Sequence, residues 1–165
     1  MPRRGERGGF WEDRGDRRHT GVDLYAPEGS PVIACADGRV VQIGLFTSPK
    51  DICYWRETWF CLVRQMNGLY VRYAEMGQVC VGEGDYLAAG ERIGSIGRVL
   101  DLDKVDASAP FYIRRLKAEG FPAMLHLEML KAPPQAWPDY RGGNWFGEGD
   151  APSFLDPQAV FDSTE

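Results

Sequence analysis

Two histidines, His19 and His126, and one aspartate, Asp23, are the residues in this chain whose types and spacing could hold a catalytic metal. His19 and Asp23 lie four apart in RRHTGVDLYAP, and His126 sits far downstream in AMLHLEML. Two imidazoles and one carboxylate around an open fourth position form a recurring catalytic zinc set. Gly21, between the first two, gives the backbone freedom to turn both side chains inward. Spacing alone leaves a second reading open, because a single histidine on a strand is also a common structural residue. With only these two histidines in the chain, any mechanism that needs three or more is excluded. The four cysteines, Cys35, Cys53, Cys61 and Cys80, form no Cys-x-x-Cys pair, which argues against a thiolate metal cluster. They read as free, buried thiols in strands.

The elements that must position these residues follow from composition and pattern. At 165 residues the chain is the size of one domain. Its net charge of -5 argues against a nucleic-acid partner held by a basic groove. No apolar run approaches the roughly 20 residues of a membrane span. Twenty glycines and eleven prolines predict many turns, and so a mainly β fold. Residues 31–36 read as a strand, Asp37-Gly38 as a hairpin turn and residues 39–45 as its return strand. Residues 59–65 and 69–75 flank a second hairpin turn at Asn67-Gly68. In the latter run Leu69, Val71 and Tyr73 take one face, and Tyr70, Arg72 and Ala74 the other. Residues 108–119 predict a short helix, with Ser108 as cap, Pro110 in the first turn and Gly120 as stop. Residues 123–130 predict a strand with His126 and Glu128 on one face. Residues 1–18 hold six arginines and four acids and read as an irregular arm. They contain no apolar segment of a signal peptide, so the chain as written reads as cytoplasmic, or as delivered to the cell wall by another route. Residues 131–165 read as an irregular tail packing on the domain.

Four blocks, in order, resemble the lysostaphin/LytM-type zinc metallopeptidases. HTGVDLYAPEGSPVIACADGRVVQIG resembles that family's His-x-Gly-x-Asp opening and the Ala-Pro-x-Gly-x-Pro-Val run after it. VRYAEM stands where the family has Tyr-x-His-Leu. VGEGDYLAAGERIGSIG follows its Gly-spaced valine and isoleucine pattern, and MLHLEML stands where it has His-Leu-His-Phe-Glu. The resemblance implies a metallopeptidase domain over residues 19–130. It implies a two-layer antiparallel β-sheet groove of the duplicated hybrid-motif type, with one short helix and irregular arms. It implies one zinc ion held by His19, Asp23 and His126, and hydrolysis of peptide cross-links in peptidoglycan.

Both catalytic histidines of that family are replaced here: Glu75 stands at one position and Met124 at the other. Zinc brings the pKa of bound water to about 7, so a carboxylate can serve as general base, and Glu75 is the candidate. Met124 cannot donate a hydrogen bond, which leaves Arg72 and Tyr73 as candidate oxyanion donors. Glu128 reads either as an acceptor that orients a ligating imidazole or as a solvated strand residue. Residues 48–60 and 98–122 read as loops at the groove rim. Two functions follow: a zinc hydrolase using Glu75, or a zinc-bearing module that binds wall peptides or regulates a partner without turnover. A phage-encoded enzyme, or one carried by cell-wall machinery, would meet its substrate without a signal sequence.

Overall fold

The computed structural model describes residues 1–133, 137–151 and 153–163. The strands, in chain order, begin with β1 (Arg18–His19), β2 (Val22–Tyr25), β3 (Pro31–Ile33), β4 (Gly38–Thr47), β5 (Thr58–Gln65) and β6 (Tyr70–Val79). β7 (Tyr86–Leu87) and β8 (Arg92–Ile96) precede a helix, α1 (Phe111–Glu119). β9 (Met124–Leu130), β10 (Tyr140–Arg141), β11 (Asn144–Trp145), β12 (Phe154–Leu155) and α2 (Pro157–Asp162) complete the chain. Among the described residues no helix is long and apolar enough to cross a membrane.

All strand pairs are antiparallel, and the main path runs β12-β9-β6-β5-β4-β7. β2 joins the edge of β9, and β3 pairs with β8. β6 organises the sheet because it changes partner along its length. Tyr70–Ala74 pair with β9, and Met76–Val79 pair with β8. Glu75 lies at the change, and the register against β5 also slips there, from Cys61↔Tyr73 to Trp59↔Met76. The extra residue makes a β-bulge, which bends a strand and re-aims a side chain. Val22, Val40, Val63, Val71, Ile93, Leu127 and Met129 from six strands help fill the main core.

The Asn67-Gly68 turn joins β5 to β6 as expected, with Gly68 at φ 88° and the Asn67 side chain accepting from Leu69 N–H at 3.0 Å. Asp37-Gly38 does not make a hairpin. β3 pairs with β8, while β4 pairs with β5 and β7. Gly38 is instead a close-approach position: a Cβ there would lie 2.7 Å from Arg64 O. The Asp37 carboxylate is taken by Ala89 N–H at 2.7 Å, which ties the turn to a distant loop.

The helix begins at Phe111, later than Ser108, because Asp106 draws both the Ser108 N–H and hydroxyl into a local turn at 2.8 and 2.6 Å. Gly120 ends it in the left-handed conformation, φ 71°, with Phe121 N–H on Leu116 O at 3.0 Å. The apolar face of α1 (Tyr112, Ile113 and Leu116) packs on Tyr54, Val99, Leu100 and Met124 to form a second core. The two regions expected as rim loops are therefore partly a roof. The C-terminal segment also holds more regular structure than its composition suggests: three short strands and α2, with Asp156 capping the latter through Gln158 N–H. Residues 134–136, 152 and 164–165 of that segment lie outside the described residues. The four cysteines are free, as expected, but Cys53 and Cys80 are exposed and only Cys61 is fully buried.

Gly38→Ala is expected to destabilise the fold by about 1–3 kcal/mol, since its Cβ meets backbone that cannot yield cheaply. Urea unfolding of the variant against the parent checks this.

Candidate metal centre

β1, β2 and β9 bring His19, Asp23 and His126 together. Asp23 and His126 face each other in the β2–β9 ladder, so their meeting is a matter of strand register. His19 Nε2, Asp23 Oδ1 and His126 Nδ1 form a near-equilateral triangle: 3.1 Å from His19 to Asp23, 3.0 Å from Asp23 to His126 and 3.0 Å between the imidazoles. All three residues are nearly sealed from solvent, with 0%, 6% and 3% of their surface exposed.

The rear of each ligand is fixed. His19 Nδ1 lies 2.9 Å from Gly9 O, a carbonyl that can only accept, so the ring proton sits on Nδ1 and the Nε2 lone pair faces inward. His126 turns Nε2 toward Glu128 Oε1 at 3.1 Å, so in the neutral imidazole a proton on Nε2 faces that carboxylate and the Nδ1 lone pair faces inward. The second oxygen of Asp23 accepts from Arg14 Nη2 at 2.6 Å. Three potential ligand atoms thus converge within 3.1 Å of one another, an arrangement that calls for a cation among them, a metal ion or, without one, a proton on His126 Nδ1. A metal about 2.0–2.2 Å from three tetrahedral ligand atoms sets them about 3.3–3.6 Å apart. The observed triangle is within a few tenths of an ångström of this, and the set fits one metal ion.

The His126 ring is clamped on its faces and edge. Phe46 stacks on it at 5.7 Å, and the Cα atoms of Gly21 and Gly143 approach so closely that a Cβ would lie 3.0 and 2.7 Å from the ring. Gly21 is therefore required for close packing against His126 and Leu127 O, and it does not adopt the positive φ that a chain reversal would use.

Glu128 is fully buried and is no solvated strand residue. It accepts from Thr20 Oγ1 at 2.6 Å, Arg72 Nη1 at 2.8 Å and the Tyr140 hydroxyl at 3.0 Å. Burial alone would raise its pKa, but the Arg72 guanidinium and His126 outweigh that and hold it at about 2. Burial likewise works to lower His126, and the Asp23 and Glu128 carboxylates reverse this and push it up to about 10 in the metal-free site. His19 is lowered, chiefly by burial and then by Arg14.

Glu75 projects into the same cavity from the bulge of β6. Its φ of 64° is unusual for a residue with a side chain, and such strain collects at functional sites. The residue as a whole is half-buried, but Oε2 is enclosed and has no hydrogen-bond partner among the described residues. Burial, reinforced by the nearby Asp23 charge, pushes Glu75 up to about 8. Met124 is buried beside it, as part of the second core. The two expected oxyanion donors are elsewhere: Arg72 is held by Glu128 and Tyr140, and the Tyr73 hydroxyl donates to Cys35 Sγ at 3.0 Å on the other face of β6.

Sequence reading missed Arg14, Asn144 and the β10–β11 turn. Arg14 looks like one of several arm arginines, but it is buried, joined to Glu12, Asn144 and Asp23. Tyr140 and Gly143 close the wall behind His126 from a segment whose Pro/Gly/Trp composition carries no periodic signal.

Comparison with known proteins agrees with this arrangement. The profile of Peptidase family M23 matches residues 17–106. The DD-carboxypeptidase/endopeptidase Mpg of Neisseria meningitidis is 35% identical over 81 residues, 49% of this chain and 17% of that protein. The chain thus spans about a sixth of that relative's length. Among solved structures, LytU superposes with a TM-score of 0.55 at 20% identity, covering 96% of this chain and 83% of the other. The lysostaphin catalytic domain of Staphylococcus simulans gives 0.52 at 19% identity, covering 88% and 80%. A variant of the prophage-encoded M23 protein EnpA of Enterococcus faecalis gives 0.52 at 22%, covering 96% and 87%. At these identities the structural likenesses establish the antiparallel β fold.

The depressed pKa of Glu128 stabilises the fold above a carboxylate's ordinary value of about 4.3, and that contribution is lost as pH falls toward about 2. Glu128→Gln leaves Arg72 buried without its counter-charge and is expected to cost about 3–5 kcal/mol near neutral pH. It should also flatten the acid limb of the stability curve. Urea unfolding of both proteins from neutral to acid pH tests the two expectations together.

Proposed function

The chain belongs to peptidase family M23, and from that premise we propose that it is a zinc-dependent hydrolase of peptide cross-links in peptidoglycan, with Glu75 as general base. The observation that carries this reading is the convergence of His19 Nε2, Asp23 Oδ1 and His126 Nδ1, with the unpartnered Glu75 Oε2 in the same cavity. Two imidazole nitrogens and one carboxylate oxygen, with room for another ligand, suit zinc. Bound there, zinc would provide a water nucleophile at neutral pH and polarise the scissile carbonyl. The names of the relatives, a DD-carboxypeptidase/endopeptidase and an antimicrobial peptidase, support peptide-bond chemistry for the class.

The protein's own residues supply the rest. Gly9 O and Glu128 keep both imidazoles in the ligating tautomer, and Arg14 holds the second oxygen of Asp23. Glu75 takes the proton of the attacking water on a carboxylate oxygen as the new C–O bond forms. It then returns that proton to the amine nitrogen as the C–N bond breaks, so the site ends as it began. A pKa raised by burial makes Glu75 a stronger base than an exposed glutamate, and a positive charge among the neighbouring ligands favours its ionised form.

A second reading rests on one observation. Met124 offers no donor where the resemblance places a catalytic histidine, and it packs into an apolar core instead. That favours a zinc-bearing module that binds wall peptides or regulates a partner without turnover.

Digestion of purified peptidoglycan by zinc-loaded protein, with His126→Ala as blank and products weighed by mass spectrometry, separates the two. Cleavage that disappears in the blank is expected, and the product masses name the bond. No cleavage by folded, zinc-containing protein across several wall types would sink the hydrolase reading. Glu75→Gln is expected to retain one zinc per chain, read by elemental analysis, and to lose at least about tenfold in rate. Chelation should lower the melting temperature, because metal affinity adds to the stability of the folded state alone.

A further inference from the structure

We propose that Arg14, delivered by the N-terminal arm, is the oxyanion-binding residue of this site. The inference deepens the hydrolase reading and rests on it. A tetrahedral intermediate places negative charge on the former carbonyl oxygen, and a fixed donor aimed at that charge is worth more in an enclosed site than in water. The donors expected from the sequence are missing from the cavity. Met124 has no donor group, and Arg72 and Tyr73 are engaged outside the cavity.

Among the donors that line the cavity, Arg14 is the cation bonded directly to a candidate metal ligand, and it lies there with Asp23, Glu75 and His126. Its side chain is 8% exposed, and three contacts hold it: Nε to Glu12 Oε2 at 3.2 Å, Nη1 to Asn144 Oδ1 at 3.2 Å and Nη2 to Asp23 Oδ2 at 2.6 Å. Tyr112 lies under the guanidinium, 4.7 Å from ring centroid to Cζ. A guanidinium has five N–H groups, so these three bonds leave two for a ligand. The fork is already immobilised, so no reorganisation accompanies charge development. Glu12 is itself anchored by Gly8 N–H at 3.0 Å and by Arg115 of α1 at 2.8 Å, which fixes the arm and the roof around the same cation.

The bonding balance is that of simple hydrolysis. Water oxygen adds to the carbonyl carbon, Glu75 carries the proton, Arg14 binds the resulting oxyanion without transferring a proton, and the C–N bond breaks with the proton delivered to nitrogen.

The test compares zinc-loaded wild type, Arg14→Lys and Arg14→Met. Three quantities are read: zinc stoichiometry and affinity, binding of inorganic phosphate as a tetrahedral anion by calorimetry, and kcat and KM on the wall fragment that wild type cleaves. The expected result for Arg14→Met is phosphate binding weakened at least about tenfold and kcat lowered about 10²–10³-fold, with one zinc retained and KM changed far less. Arg14→Lys, which keeps the charge but loses the fork, should fall between. Unchanged phosphate affinity and kcat in a zinc-containing Arg14→Met protein would overturn the proposal. So would losses of rate and zinc that are both restored by excess zinc, since Arg14 would then act only by bracing Asp23. If Arg14→Met fails to fold, Arg14→Lys decides by the same readings. If wild type cleaves nothing, the hydrolase reading has failed, and undiminished phosphate binding in the variants would overturn the role of Arg14 separately.

Discussion

The convergence of three buried metal-ligating side chains at the junction of β1, β2 and β9 is the constraint on which the rest of the structure depends. Polar atoms buried this deeply are costly unless each finds a partner. Every neighbouring segment is recruited to fix them from behind. The arm supplies Gly9 O to His19 and Arg14 to Asp23, while β9 itself supplies Glu128 to His126. Glu128 in turn needs Arg72 from β6, Thr20 from the β1–β2 connection and Tyr140 from the C-terminal hairpin. An arm, a sheet and a C-terminal hairpin are thus joined through one polar network, and such a network is stable only when every member is satisfied.

The bulge in β6 solves a different problem. A regular strand would alternate its side chains and give consecutive residues to opposite faces. Placing Glu75 beside a site whose ladder residue is Ala74 requires breaking that alternation, since Ala74 is already the partner of His126 across β9. The left-handed backbone at Glu75, with its carbonyl accepting from Gly97 N–H at 2.9 Å, inserts the extra residue and turns the carboxyl into the cavity. The same residue lets β6 leave β9 and join β8. One local distortion therefore both bends the sheet and aims a titratable group.

What the sequence disclosed follows from which features are local. The Asn67-Gly68 hairpin, the Gly120 helix stop and the strand carrying His126 are written in contiguous residues, and they were legible. Likewise the four family-like blocks marked His19, Asp23 and His126, which the fold then places together. Asp37-Gly38 misled because the dipeptide favours a tight turn, while the pairing of its flanks is decided by β8, β5 and β7 far along the chain. Gly21 and Gly143 matter for the space they leave against the His126 ring, which no local pattern reports. Arg14 differs from the other arm arginines only in what surrounds it, and composition cannot show that. Residues 98–122 read as rim loops carrying a short helix, yet the apolar face of α1 has a partner surface formed partly by Met124.

Met124 and the roof are best understood together. A histidine at that position would present a polar ring to the cavity, and apolar packing against it would strand its nitrogens. Methionine removes that obstacle: it joins Leu100, Ile113 and Leu116 in the second core, and its flexible thioether fits an irregular gap. The groove is thereby covered by α1, and the ligands beneath lose nearly all contact with water. For the proposed hydrolysis, loss of a donor and loss of solvent act in opposite directions. Fewer hydrogen bonds reach a developing charge, but each one that does acts in a medium of lower effective dielectric. In the proposed hydrolysis, Glu75 on a strained bulge and Arg14 locked between two carboxylates are the groups that would act in that medium.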